Sequence, residues 1–425
     1  MTEYSNDQIN AIDGIMDALT TDSGSAHRPL RLTGAAGTGK TQVLSGIAHN
    51  PTANPIVLTP TNKAAYVLRQ RGVPALTIHS QIYAPVHVAL KEELRALKES
   101  RIGDEADPGK DAEIAALEAK LQKTPNSSRM EFSFRPDNKL RGNNVLVDEA
   151  SMVGQRVLGD ILLSNPRRVV LCGDRNQLQP VADAPILQDA EPDFELTRNH
   201  RSGDQERLSE LAELVLRAGP DEALTAARNA SDADPAGPVR VYGRGANHPD
   251  KAALAQAVGD GNTIWLCWRN LTRLKINHGI RRIMGYGRSS IVSGEMLVAY
   301  ARDPEDMGRW FNGCPATVLD VEMTDVPLID GFTMESYPAR RCQLSIDGVT
   351  VNEVDIARRD LSGYNPDDHR PTWQYGYCLT VHKAQGSEWD TVVVADDYQK
   401  RGKDDYVSWL YTAITRARKR VVWIV

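Results

Sequence analysis

Gly34-Ala35-Ala36-Gly37-Thr38-Gly39-Lys40-Thr41 is the stretch whose reading decides the fold. Before it, Leu30-Arg31-Leu32-Thr33 reads as a buried strand. After it, Gln42-Val43-Leu44-Ser45-Gly46-Ile47-Ala48 reads as a helix. A strand, a glycine-rich turn ending in Gly-Lys-Thr, then a helix is the context in which this spacing cradles phosphate. Glycines let backbone N–H groups turn inward around a triphosphate. Lys40 is spaced to reach the β- and γ-phosphates, and the Thr41 hydroxyl to ligate Mg²⁺. The helix that follows adds its positive end.

The rest of the chain bounds this reading. Its 425 residues, 41% of them hydrophobic, suffice for two to four domains with apolar cores. No apolar run approaches the roughly 18 residues of a membrane span. The opening Met1-Thr2-Glu3-Tyr4-Ser5-Asn6-Asp7 is polar and acidic and does not read as a signal peptide. Five scattered cysteines with no Cys-x-x-Cys pair argue for a reducing compartment, and against zinc or a disulfide framework. A net charge of −6 means that any polyanion site must come from local basic groups.

Strands alternate with helices, which predicts parallel sheets covered by helices. Ile56–Thr59, Asn144–Val147 and Arg168–Cys172 read as buried strands that join the loop strand in one nucleotide-binding core. Two segments break the rhythm. From Val88 to Gln122 the chain is charged. Leu90, Leu94 and Leu97 repeat at helical spacing, as do Ile114, Leu117 and Leu121, around an acidic turn at Gly103–Gly109. A helical hairpin arm is expected there, followed by a half-exposed strand at Met130–Phe134 and a turn at Pro136–Asn138. From Ser289 to Thr372, short β-like stretches separated by Gly, Pro and Asp predict a small β-barrel insertion. Ala230–Pro238 reads as a connector, and the basic stretch Arg269–Arg282 as a solvated helix face.

More chemistry lies at strand ends. Val147-Asp148-Glu149-Ala150 closes an apolar strand downstream of the phosphate loop. There Asp148 is placed to hold Mg²⁺ and Glu149 to orient and deprotonate a water, the two roles phosphoryl transfer requires. Gly173-Asp174-Arg175-Asn176-Gln177-Leu178 ends the next strand, with Gln177 placed to sense the γ-phosphate or the water.

Together these pieces resemble the superfamily 1 helicases, most closely the RecD-like and Dda-like branch, over essentially the whole chain. Ser5–Ile12 is similar to the family's adenine-reading motif, with Gln8 as the base-pairing amide. Thr59-Pro60-Thr61-Asn62-Lys63 and Thr77-Ile78-His79 resemble two nucleic-acid motifs. Leu196–Ser202 resembles the motif whose arginine, here Arg201, reaches the γ-phosphate. Leu379-Thr380-Val381-His382-Lys383-Ala384-Gln385-Gly386-Ser387-Glu388-Trp389 is nearly a signature of the branch. In Tyr411–Arg418, Arg416 stands as the second arginine finger. The arm departs from the short β insertion of the Dda-like case.

The resemblance implies an ATP- and Mg²⁺-dependent DNA helicase that moves 5′ to 3′ on single-stranded DNA and opens duplex at junctions. Two RecA-like cores are implied: residues 1–84 with 128–200, and 201–288 with 372–425. The arm would occupy 85–127, and an SH3-like barrel 289–371. Its nucleotide contacts would come from Gln8, the loop Gly34–Thr41, Gly386 and Glu388. Its catalytic groups would be Lys40, Glu149, Gln177, Arg201 and Arg416. The compact length favours a monomer, and the cysteines a cytosol, that of a bacterial or phage-infected cell; the pathway, whether replication, recombination, repair or a phage cycle, stays open, with replication or recombination proteins as candidate partners.

Strand contacts are expected mostly on phosphates, from Pro60, Thr61, Asn62, Lys63, Thr77 and His79 on one core. Thr380, His382 and Lys383 are their counterparts on the other. Stacking aromatics are sought among Tyr83, Phe132, Phe134, Trp373 and Trp389, although core packing is the commoner use of such residues. The strand Phe132–Phe134 is the candidate wedge. Two other readings stay open: an RNA-tracking helicase, and an ATP-switched remodeller or loader that does not unwind.

Overall fold

A computed structural model describes residues 4–21, 28–85, 90, 93–95, 97–98, 108–123, 132–181, 183–243, 251–287, 291–301, 309–329, 336–357, 361, 373–398 and 403–425. Helix α1 (Asn6–Thr20) turns Gln8, Ala11, Ile15 and Leu19 inward at helical spacing. Ser5 precedes it, and its N–H donates to Gln8 Oε1 at 3.0 Å, the reach-back half of a capping box.

The first half then runs β1 (Leu30–Gly34), α2 (Lys40–Ala48), β2 (Ile56–Thr59), α3 (Asn62–Gln70), β3 (Ala75–Thr77), α4 (Ile78–Ile82) and β4 (Tyr83–Pro85). It continues with α5 (Pro108–Lys123), β5 (Phe132–Phe134), β6 (Asn144–Val147), α6 (Gln155–Leu163), β7 (Arg168–Gly173) and β8 (Phe194–Leu196). Six of these strands form one sheet, in the order β3-β2-β6-β7-β1-β8, with every neighbour parallel. Burial on both faces is why they read as continuous apolar runs. On one face Leu146 and Val170 join the cluster under α1 and α2. On the other, Val145, Val147 and Leu171 form a second cluster.

The second half comprises α7 (Asp204–Ala218), α8 (Pro220–Ala233), β9 (Val239–Tyr242), α9 (Lys251–Ala257), β10 (Thr263–Cys267) and α10 (Asn270–Ile283). Then follow β11 (Met296–Ala299), β12 (Pro315–Ile329), β13 (Ser336–Ile346), β14 (Val349–Ala357) and β15 (Trp373–Tyr375). The chain ends with β16 (Cys378–Thr380), α11 (Val381–Ala384), β17 (Trp389–Ala395), α12 (Lys403–Ile414) and β18 (Ala417–Ile424). A second parallel sheet has the order β16-β10-β17-β18-β9.

Between the strands of that sheet sits an antiparallel one, β14-β13-β12-β11-β15. The β-rich insertion is therefore present. Closure into a barrel is not among the pairings of the described residues: β12 and β13 run on together to the pair Ile329–Ser336. The last strand, β15, lies just past residue 371. The expected connector at 230–238 is corrected. Residues 230–233 are the last turn of α8, where Ser231 is buried and accepts from Val241 N–H at 3.2 Å.

In the arm region, residues 93–95, 97–98 and α5 are helical, Leu90 and Ile114 are buried, and Lys98 pairs with Glu118 at 2.7 Å. The turn expected at Gly103–Gly109 lies mostly outside the described residues, as do Met130 and Glu131. Strands β4 and β5 pair antiparallel, Tyr83 opposite Phe134.

Candidate functional site

The carboxyl ends of the parallel strands all open on one side, where α/β sheets bind ligands. Glycines at 37 and 39 hold the loop after β1 in the left-handed region, with φ of +89° and +82°. A Cβ on Gly37 would lie 2.7 Å from Asn199 Oδ1 and 2.8 Å from the Arg201 side chain, so close approach as well as φ demands glycine there. His200 N–H also donates to Gly37 O at 3.1 Å.

Gln8 lies wholly buried beneath the loop. Its Nε2 donates to Thr38 O at 3.1 Å while its Oε1 accepts from Ser5. The residue the resemblance assigns to adenine is here a strut that ties α1 to the phosphate loop. Lys40 Nζ donates to Gly34 O at 2.7 Å and Ala35 O at 2.9 Å, within the loop. Thr41 stands in the first turn of α2, on the cleft wall.

Asp148 follows β6, buried, with its N–H on Leu58 O at 2.9 Å. Burial pushes its carboxyl well above the ordinary range. The charge of Glu149 adds to that, and Lys40 pulls the other way. A nearby cation would restore its charge. Mg²⁺ typically takes one or two carboxylates and keeps its remaining positions for water and phosphate, which suits Asp148 with the Thr41 hydroxyl. Glu149 itself has φ +52° and ψ +39°, a conformation that costs a non-glycine residue about 1–3 kcal/mol and clusters at functional sites. Gln177 is buried, its Nε2 toward Asp174 Oδ2 at 3.4 Å. Its Oε1 has no hydrogen-bond partner among the described residues.

The opposite wall comes from the second half. Arg201 donates to Glu388 Oε1 at 3.1 Å and Thr415 O at 3.4 Å. Arg416 is buried, held by Thr412 O at 3.2 Å and Thr415 Oγ1 at 3.3 Å. Lys40, Asp148, Glu149, Gln177, Arg201 and Arg416 line one cleft of about 870 Å³. Glu388 lies on its wall, and Gly386 sits there too, against Ala64 of α3.

Proposed strand contacts gather at other strand ends. Thr61, after Pro60, caps α3 and accepts from Ala64 N–H at 3.2 Å, with Asn62 exposed and Lys63 in the cleft. Thr77 caps α4, and Thr380 caps α11 by accepting from Lys383 N–H at 3.4 Å. His79 lies 5.1 Å from the Tyr83 ring and 6.4 Å from that of Phe132, and burial lowers its pKa. His382 packs on Trp268 at 5.1 Å and is likewise lowered by burial. Phe132 is 49% exposed whereas Phe134 packs on a core cluster, so within β5 only Phe132 presents a free face. Trp373 is fully buried against Trp310, which removes it from the stacking candidates.

The basic stretch on α10 is a second correction. Lys275 is exposed, but Arg273 and Arg281 are 1% exposed. Arg281 pairs through Nε and Nη2 with buried Glu295. Arg273 sits over the Tyr300 ring at 5.2 Å, on the ring that Lys383 Nζ covers at 3.7 Å. Both arginines are part of the site's foundation, which sequence reasoning missed because their partners lie on other elements. Burial and then Arg273 hold the Lys383 pKa down at about 8.

Comparisons with known proteins bear on the family. The protein family described as AAA domain matches residues 4–233, and the UvrD-like helicase C-terminal domain matches residues 375–424. The ATP-dependent RecD2 DNA helicase of Deinococcus radiodurans is 26% identical over 298 residues, covering 65% of this chain and 35% of that protein. The RecBCD enzyme subunit RecD of Mycolicibacterium smegmatis is 24% identical over 427 residues, covering 92% of this chain and 67% of the subunit. The chain thus spans about a third of the first relative's length and two thirds of the second's.

Pif1 helicase from Bacteroides, solved with ADP-AlF3 and ssDNA, superposes with a TM-score of 0.52 at 16% identity, covering 100% of this chain and 92% of that one. Pif1 helicase from Candida albicans also gives 0.52 at 16% identity, covering 100% and 94%. These two show a shared fold. The motif resemblance to superfamily 1 helicases of the RecD-like branch is borne out. The chain belongs to the AAA-domain family.

Proposed function

We propose that this AAA-domain chain is an ATP-driven DNA helicase that moves 5′ to 3′ along single-stranded DNA and opens duplex at junctions. One observation carries the reading. Lys40, Asp148, Glu149 and Gln177 of one parallel-sheet core share a cleft with Arg201 and Arg416 on the opposite wall. Phosphoryl transfer needs little beyond positioning and charge neutralisation, and a cleft between two bodies makes both depend on closure. Mg²⁺, held by Thr41 and Asp148, would neutralise charge on the transferred phosphate. Lys40 would turn from the loop carbonyls to the β- and γ-oxygens, and Glu149 would take the proton of the attacking water. Arg201 would exchange Glu388 for the γ-phosphate.

The motor reading draws on the placement of the candidate strand-contact residues. Thr61 and Lys63 stand on one core and Thr380 and Lys383 on the other, so closure at the nucleotide changes the distance between two grips. The direction rests on the family resemblance alone.

The test is ATP hydrolysis with and without single-stranded DNA, with Glu149→Gln as the blank. Strong stimulation that vanishes in the variant is expected, together with unwinding of 5′-tailed but not 3′-tailed duplex. Hydrolysis indifferent to DNA but stimulated by RNA would move the track to RNA. Stimulation without unwinding of either duplex would make the chain an ATP-switched remodeller.

A further inference from the structure

Tyr411, on α12 of the second core, is 1% exposed, and its hydroxyl reaches two separate loops of the first core. It donates to Asp174 Oδ2 at 2.8 Å and accepts from the Ala36 N–H at 3.3 Å. Ala36 is part of the phosphate loop. Asp174 opens the loop that carries Gln177, and its Oδ2 also accepts from Gln177 Nε2. One buried oxygen atom therefore connects the second core, the phosphate loop and the carboxylate that orients Gln177.

The grip is reinforced at the loop's other end. Leu178 N–H donates to Thr412 Oγ1 at 2.9 Å, and Gln385 Nε2 donates to Leu178 O at 3.1 Å. Between these anchors lies Gln177, whose buried Oε1 has no partner among the described residues and lies on the cleft wall, where a ligand or water could meet it. Burial, then the charge of Asp174, raise the Tyr411 pKa, so the phenol keeps the proton it donates. A phenol-to-carboxylate hydrogen bond out of water is of the stronger, charge-assisted kind.

We propose that Tyr411 is a positioning residue: its hydroxyl sets Asp174, and through it Gln177, in register with the phosphate loop when the two cores are closed. The inference rests on the reading of the cleft as an ATPase site. Opening the cores breaks both Tyr411 bonds together and releases the carboxylate that orients Gln177 from its anchor on the second core. That gives the second core control of the water-facing residue without touching the nucleotide.

The test uses the full chain with Tyr411→Phe, which keeps the buried ring, with Asp174→Asn, and with both. We expect each single variant to lower kcat for ATP about ten- to a hundredfold, the scale of a small misplacement of a catalytic group. KM should stay within about twofold, because Lys40 and Thr41 are untouched. The double variant should be no slower than the slower single one, since both remove the same link. A Tyr411→Phe protein with wild-type kcat overturns the proposal, as does a double variant whose losses multiply. So does a loss confined to the thermal midpoint, the signature of a merely structural residue. The motor reading is judged separately, by the wild-type ratio with and without DNA. A wild type that ignores DNA sinks that reading, while the ratio of wild type to variant still decides the role of Tyr411.

Discussion

The two cores build one device to different specifications. In the first, a strand ends at Thr59, Thr61 caps the nine-residue α3, and Lys63 lies 5.5 Å from the Tyr66 ring. In the second, a strand ends at Thr380, which itself caps the four-residue α11, and Lys383 is pressed onto Tyr300 at 3.7 Å beside buried Arg273. The first core rests on neutral polar supports: Asn144 Nδ2 donates to Leu19 O at 3.1 Å and Ala53 O at 2.9 Å. The second rests on a buried ion pair, Arg281 with Glu295. The difference teaches a division of labour. In the proposed reading the first core would hold phosphate on backbone amides and one lysine. The second supplies concentrated positive charge and holds it in place by burial.

The sharpest way to break this division is to remove charge from each side. Arg416→Ala should lower kcat by ~10³ or more while ATP still binds, as losing an arginine finger does. Lys40→Ala should instead weaken ATP binding. Equilibrium binding of a fluorescent ATP analogue, beside single-turnover hydrolysis, separates the two. An Arg416→Ala protein that has lost affinity but kept its rate would reverse the assignment.

Supports come next in size. Glu295→Ala leaves the Arg281 guanidinium buried without its carboxylate, which should cost about 3–5 kcal/mol. Asn144→Ala leaves two carbonyls short of a donor, for about 1–3 kcal/mol. Urea unfolding followed by far-ultraviolet circular dichroism measures both, since every tryptophan lies in the second half of the chain. Equal losses would mean that the two cores are founded alike.

Much of the first core was legible in the chain. Ile56–Thr59 and Asn144–Val147 are strands with the expected ends, because buried parallel strands are short apolar runs and their ends carry the motifs. Lys40, Asp148 and Glu149, singled out for their places in those motifs, line one cleft. The second core was harder to read. Arg273 and Arg281 have the spacing of a solvated face. They are buried because Glu295 and Tyr300, on other elements, receive them, and no local pattern announces such partners. Tyr411 opens a motif, but a tyrosine among apolar residues reads as core, and its two partners lie on distant loops. Gln8 was matched by family position, and its amide lies against Thr38 O of the phosphate loop.

Titration sharpens the contrast further. The Lys383 pKa near 8 means that the ammonium a strand phosphate needs is lost as pH rises through that value. Strand affinity should therefore fall between about pH 7 and 9, by up to tenfold for one phosphate contact, an interaction of about 1.4 kcal/mol. Tyr300, pushed up to about 12 by burial, stays neutral across the window. Lys383→Arg should flatten the profile, because a guanidinium keeps its charge. The stability linkage runs the other way. The unfolded lysine titrates at its ordinary 10.5 and the folded one near 8, so between these values the unfolded state holds more protons. Stability gains with pH there. Fluorescence anisotropy of a labelled single strand, at fixed salt, gives the affinity. A profile unchanged in Lys383→Arg would remove Lys383 from the strand path.

The smallest effect tests the caps themselves. Thr61 and Thr380 each accept one backbone N–H three residues on, at 3.2 and 3.4 Å. An N-cap threonine replaced by alanine costs about 1 kcal/mol. For Thr61 that loss should be absorbed by a nine-residue helix whose Ala64, Ala65 and Leu68 are already packed, so strand affinity should follow stability and little else. For Thr380 the helix is a single turn, and the amide released belongs to Lys383 itself. The cap there fixes the lysine's starting point, so Thr380→Ala should lower strand affinity by more than its loss of stability explains. Serine, which keeps the acceptor oxygen, should restore both positions. Parallel losses at the two threonines, with affinity tracking stability in each, would show that the caps are equivalent and that the asymmetry resides in Arg273 and Tyr300 alone.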